Sequence, residues 1–224
     1  MIGKKHIIAL FISFACCFGY AQTYAELKQQ TKDKKVVLRQ KYESAVGDNE
    51  KSEIIKEAQS YLLNIAGTYF EAWYNTPWDF NGHTKIPKKG TIACGYFITT
   101  VLQDMGFNIP RIKWAQQTSE YMIKKMTSDI QRFRGKPMFE VTKHIENSGE
   151  GLYVVGLDCH VGFIYYVNGK MSFVHSNYYQ PKIGVMSEPL TGRNPLNDSK
   201  YRVIGKILDD KMIQNWLLDI AYLQ

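Results

Sequence analysis

The stretch LYVVGLDCHVGFIYYVNGKMSFVHSNYY, residues 152–179, narrows the possible folds more than any other part of the chain. It is dense in β-branched and aromatic residues, and VNGK at its centre is a tight hairpin signal. Two antiparallel strands therefore meet here, and their period of two sorts the side chains. His160, Gly162 and Ile164 fall on one face, with Cys159, Val161 and Phe163 on the other; on the second strand Phe173, His175 and Asn177 share a face that Ser176 does not. KYRVIGKIL, from residue 200, adds a further strand.

The preceding half of the chain has another period. Ile54, Ala58, Tyr61, Leu62, Ile65, Tyr69 and Trp73 recur at steps of three and four, which predicts a long amphipathic helix ending near YNTP. Residues 26–46 are charged and only weakly periodic, as a solvated helix would be. Phe97, Val101, Leu102 and Met105 mark a shorter helix from about Cys94, closed by Gly106 and Pro110. Residues 111–150 read as helical and irregular by turns, with Pro137 a helix start and ENSGEG a loop. DDKMIQNWLLDIAYL closes the chain as a helix capped by Asp209 or Asp210. Helices followed by strands argue for an α+β class, in a chain of 224 residues and 45% apolar content that is long enough for one real core.

The first 21 residues stand apart. Lys4 and Lys5, an apolar run, and Gly19-Tyr20-Ala21 have the order of a secretory signal cleaved before Gln22, and the run is short for a permanent span. The expected product is exported, periplasmic or extracellular; lipidation at Cys16 or Cys17 fits less well, because bulky Phe14 precedes them. Without Lys4 and Lys5 the net charge falls two units from +7, which suits an anionic envelope polymer. No basic block interleaved with aromatics indicates nucleic acid. Export leaves Cys94 and Cys159, for which one disulfide is possible but not a disulfide framework.

Cys94 opens a helix, where unpaired N–H groups favour a thiolate and lower the thiol pKa. A buried structural cysteine is the competing reading. A nucleophile needs a base, and His83, His144, His160 and His175 remain after the signal. His160 faces the neighbouring strand, where His175 or Asn177 is placed to orient its ring as the third member of a triad. Cys159 points the other way and reads as a packed small hydrophobe. Neither His83, in the loop before Cys94, nor any other histidine has the spaced partners of a metal site, and no cofactor is implied.

TPWDFNGHTKIPKKGTIACGYF resembles the NlpC-type cell-wall cysteine peptidase segment T-P-Y-x-x-G-G, spacer, D-C-S-G-F. CHVGFIYYVNGKMSFVH resembles the same family's H-V-G-I-Y, turn, G-K, F-I-H strand pair, and YRVIGKI sits where its last strand lies. The resemblance covers about residues 58–207 and rests on several short motifs in order. It implies a papain-like NlpC-type fold, N-terminal helices packed on a small antiparallel sheet or half-barrel, following a helical extension at 22–57 and carrying a helical insertion at about 107–150. It implies Cys94 as nucleophile, His160 as general base and His175 as the orienting residue, with Trp78, Asp79 and Asn177 near the substrate or its oxyanion. The implied activity is cleavage of a peptide or amide bond in peptidoglycan stem peptides by a monomer. The alternatives are an inactive envelope-binding module and an acyltransferase. The chain departs from the pattern at Trp78, where the family has tyrosine, at Ala93-Cys94-Gly95 in place of Asp-Cys-Ser, and in its longer interval from His160 to His175.

Overall fold

The computed structural model describes residues 23–222, so the expected signal, with Cys16 and Cys17, lies outside the described residues. Two long helices come first, α1 (Tyr24–Ser44) and α2 (Asp48–Trp73). Thr23 and Glu26 form a reciprocal capping box that starts α1. α2 runs unbroken across residues 57 and 58, and Leu27 and Leu38 of α1 lie in the same core as Ile54 and Leu62, so the N-terminal helices form part of the main packing unit. Then follow α3 (Cys94–Asp104), α4 (Arg111–Ala115), α5 (Ser119–Met126), β1 (Ile130–Arg134) and α6 (Met138–Ser148). The second half holds β2 (Gly151–Leu157), β3 (Val161–Val167), β4 (Lys170–Asn177), β5 (Gly184–Glu188), α7 (Pro195–Asp198), β6 (Tyr201–Ile207) and α8 (Asp210–Leu217).

The fold is α+β, with one six-stranded antiparallel sheet in the order β1-β6-β2-β3-β4-β5. Asn168 and Gly169 both take positive φ, 52° and 69°, at the β3–β4 turn, the backbone that a tight Asn-Gly hairpin needs. The expected alternation decides the two faces. Val161, Phe163 and Val174 pack with α2, α3 and α5, whereas Ile164 and Phe173 pack with α6 and Leu196 on the opposite side. Helices therefore cover both faces. Strand β1, IQRFR, lies within the stretch expected to be helical or irregular; its arginines suit a sheet edge, where charged side chains discourage further pairing.

Helix α3 is anchored at both ends. At its C-terminal end the Tyr69 hydroxyl donates to the Asp104 carbonyl, the Tyr24 hydroxyl to the Asp104 carboxylate, and the Trp216 indole to the Met105 carbonyl. Trp73, Tyr69 and Phe70 of α2 are fully buried with Phe97 of α3, each contributing roughly 1.5–3 kcal/mol of apolar burial. At its N-terminal end the Ile92 and Ala93 N–H groups donate to the carbonyls of Pro77 and Gly82, and Ser176 Oγ donates to the Ile92 carbonyl. A Cβ at Gly82 would lie 2.6 Å from the Ile92 nitrogen, so this loop closes only with glycine there.

Candidate active site

Cys94 is the first residue of α3, and Ala93, its N-cap, has no side chain to occupy the helix N–H groups. The N–H groups of Val161, Gly95 and Cys94 itself lie near its sulfur and favour its charged form. Val161 directly follows His160, so the sulfur lies beside the start of the strand that the histidine precedes. Both residues line one cleft of about 690 Å³.

His160 Nε2 lies 2.8 Å from His175 Nδ1, and His175 Nε2 lies 2.7 Å from Glu188 Oε1. His175 has no exposed surface and stacks on Phe173, with ring centroids 4.0 Å apart and planes 18° from parallel. Gly162 makes room for this stack: a Cβ there would collide with the Phe173 ring and sit 3.0 Å from the His175 Cβ. The bond to His175 leaves Nδ1 as the other ring nitrogen of His160.

At half-buried Cys94 two influences on the thiol oppose each other. The three N–H groups do act to lower the thiol pKa, but burial dominates and pushes it up. Burial also holds His160 well below the ordinary imidazole range, helped by neighbouring His175, and takes His175 down to about 3. Both directions favour the uncharged forms, a neutral thiol and a neutral imidazole lining one cleft.

Trp78, Phe80, Tyr96 and Tyr178 supply aromatic walls, while Gln116 and Gln117 add amides. None of the residues lining this cleft is Asp, Glu, Lys or Arg. The indole N–H of Trp78 is buried and has no hydrogen-bond partner. His83 also lines the cleft, and His144 packs against Phe133 well away from it, on α6.

Three expectations change. Asp79 does not line the cleft; its carboxylate accepts from the Asn81 N–H and closes a turn. Asn177 is not a partner of His160: its amide nitrogen meets Met186 Sδ at 3.1 Å and its oxygen accepts from the Tyr179 N–H. Cys159, expected to be packed, is exposed beside His160, 3.6 Å from the Tyr178 hydroxyl, because the chain turns before β3 begins and strand alternation does not yet apply. Cys94 and Cys159 are both free.

The segment 107–150 divides between two tasks. Its first part forms the cleft wall through Ala115, Gln116 and Gln117, and its second part adds β1 to the sheet and packs α6 against one face of it. Arg111 fastens the wall: its guanidinium donates to Thr100 Oγ1 and to the carbonyls of His83 and Thr84, and stacks 4.8 Å from the Tyr96 ring. Gly95 is pinned by the same wall, since its Cβ would lie 2.5 Å from the Ala115 carbonyl oxygen. The family's serine has no room there.

Comparison with protein-family models, curated proteins and solved structures finds no match in any of the three. Among the described residues no group of three or more His, Cys, Asp and Glu side chains is arranged to hold a metal, and no helix is long and apolar enough to cross a membrane.

Proposed function

We propose that the chain is a thiol hydrolase of the papain-like, NlpC-type kind, acting on a peptide or amide bond of cell-wall stem peptides after export. The observation that carries this reading is the 2.8 Å bond from His160 to buried His175, with His160 in the same cleft as a cysteine whose sulfur lies near three N–H groups. A histidine fixed at one nitrogen and open at the other is the arrangement a general base requires.

In the proposed reaction His160 Nδ1 takes the Cys94 proton as the sulfur attacks the carbonyl carbon. The charge on the carbonyl oxygen is met by the Cys94 N–H and, once substrate binding uncovers it, by the unpartnered indole N–H of Trp78, the residue at the motif position of the family's tyrosine. Collapse breaks the carbon–nitrogen bond, and the imidazolium returns its proton to the departing amine. Water, deprotonated by the same histidine, then hydrolyses the thioester and restores the thiol. The aromatic and amide walls favour recognition by stacking and by hydrogen bonds to peptide groups, so the portion of substrate lying on them is uncharged.

The test is digestion of purified sacculi and stem peptides with the protein lacking residues 1–21, analysed by mass spectrometry. New termini that vanish with Cys94→Ala and with His160→Ala are expected. Binding that survives Cys94→Ala with no bond cut by the native chain defeats the hydrolase in favour of an envelope-binding module, and acyl transfer to an added amine in place of water defeats it in favour of a transferase.

A further inference from the structure

We infer that Glu188 is a fourth, positioning member of the site: through His175 it selects the ring tautomer of His160 that leaves Nδ1 free to accept the Cys94 proton. The inference rests on the hydrolase reading for its catalytic meaning, but its geometry stands independently of substrate.

The β4–β5 register pairs Phe173 with Glu188 and His175 with Met186. Glu188 is therefore the diagonal neighbour of His175 on the same sheet face, at the separation a long side chain spans. Its side chain is 13% exposed and its Oε1 lies 2.7 Å from His175 Nε2. The stacked Phe173 ring holds the imidazole plane, so that one nitrogen faces Glu188 and the other faces His160.

Each hydrogen bond in this row constrains the next. An ionised carboxylate only accepts, so His175 carries its proton on Nε2 and presents bare Nδ1 to His160. His160 must then donate from Nε2, which leaves its own Nδ1 without a proton and able to act as a base. Protonated Glu188 would reverse the row: it would donate to His175 Nε2, His175 would donate from Nδ1, and His160 would carry its proton on Nδ1, where it cannot accept one from the thiol. The direction of the row is thus set at its far end, on a strand that contributes no residue to the cleft lining. When His160 gains a proton during attack, the same carboxylate lies two hydrogen bonds away and favours the cation.

The experiment reads the tautomers directly, by long-range proton–nitrogen correlation NMR of histidine-labelled protein at neutral pH. Nε2–H tautomers for both His160 and His175 are expected, with their loss or mixing in Glu188→Gln, which keeps the shape but has no fixed charge. A native His160 with its proton on Nδ1 overturns the inference without any variant. Unchanged tautomers in Glu188→Gln, once cooperative thermal unfolding shows that the variant is folded, overturn it as well. With a cleaved stem peptide, Glu188→Gln is expected to lower kcat on the order of tenfold or more with KM little changed; unchanged kcat assigns Glu188 to stability alone and refutes the positioning role. Failure of the hydrolase reading appears differently, as native protein with the expected tautomers and no turnover.

Discussion

Gly95→Ala tests how tightly the segment before β1 is built into the site. The added Cβ would lie 2.5 Å from the Ala115 carbonyl oxygen and 3.3 Å from its carbonyl carbon and Cα. All three are main-chain atoms, so no side chain can rotate away. Either α3 or α4 must retreat by roughly half an ångström or more to restore ordinary contact. Overpacking of this kind costs about 1–3 kcal/mol, whereas alanine in place of a helical glycine returns at most about 1 kcal/mol. A net loss of roughly 1–2 kcal/mol would lower the melting temperature by about 2–8 °C in a chain of this size. The assay is thermal unfolding of the protein lacking residues 1–21 beside Gly67→Ala in α2, where the added Cβ meets only the outer edge of the Tyr165 ring, 3.2 Å away at its hydroxyl. Gly95→Ala should be the less stable variant. If it matches or exceeds Gly67→Ala in stability, α4 is not seated on Gly95 and the account of the missing serine is wrong.

Two further outcomes follow from the buried imidazoles and the free indole. His160 and His175 are held below the ordinary imidazole value, which unfolding restores to about 6.5, so the unfolded chain binds more protons as pH falls. Stability should decline from about pH 6.5 toward pH 3, by at most about 1.4 kcal/mol per pH unit for each ring, with burial of Glu188 acting in the opposite sense. Denaturant titrations at several pH values should give a shallower decline for His175→Gln than for the native chain, and equal slopes refute the assignment. Trp78→Phe keeps the aromatic wall and deletes the N–H. It should reduce kcat by about 100-fold or more with unfolding little changed, and unaltered kcat removes Trp78 from the oxyanion site.

The parts of the molecule governed by local periodicity were legible in the sequence. Alternation along β3 and β4 separated Phe163 from Ile164 and put His175 on the face of Phe173, because a strand's period is two, whereas His160 precedes β3 and meets His175 from the turn before it. The VNGK turn and the Asp209 cap follow equally local rules. Glu188 had no such signal. Its strand, GVMSE, is short and mixed in polarity, and the pairing that brings it to His175 depends on a loop of several residues between β4 and β5. The thiol's state was hidden for a related reason: the helix N-terminus is visible in sequence, but the burial that outweighs it comes from α4 and β3 closing over Cys94. Asp79 misled because a carboxylate used to close a turn has the same spelling as one aimed at a ligand.

The Val161 N–H near the Cys94 sulfur also has a geometric consequence. Cys94 and His160 belong to different layers, a helix and a sheet, whose relative position must be fixed by packing. Here the Val161 N–H near the sulfur belongs to the residue that directly follows His160, so the start of β3 meets the start of α3 at the same point that presents the imidazole. The relative placement of Cys94 and His160 is thereby set over a few residues of chain at one helix-to-strand junction, and not by an element remote from both.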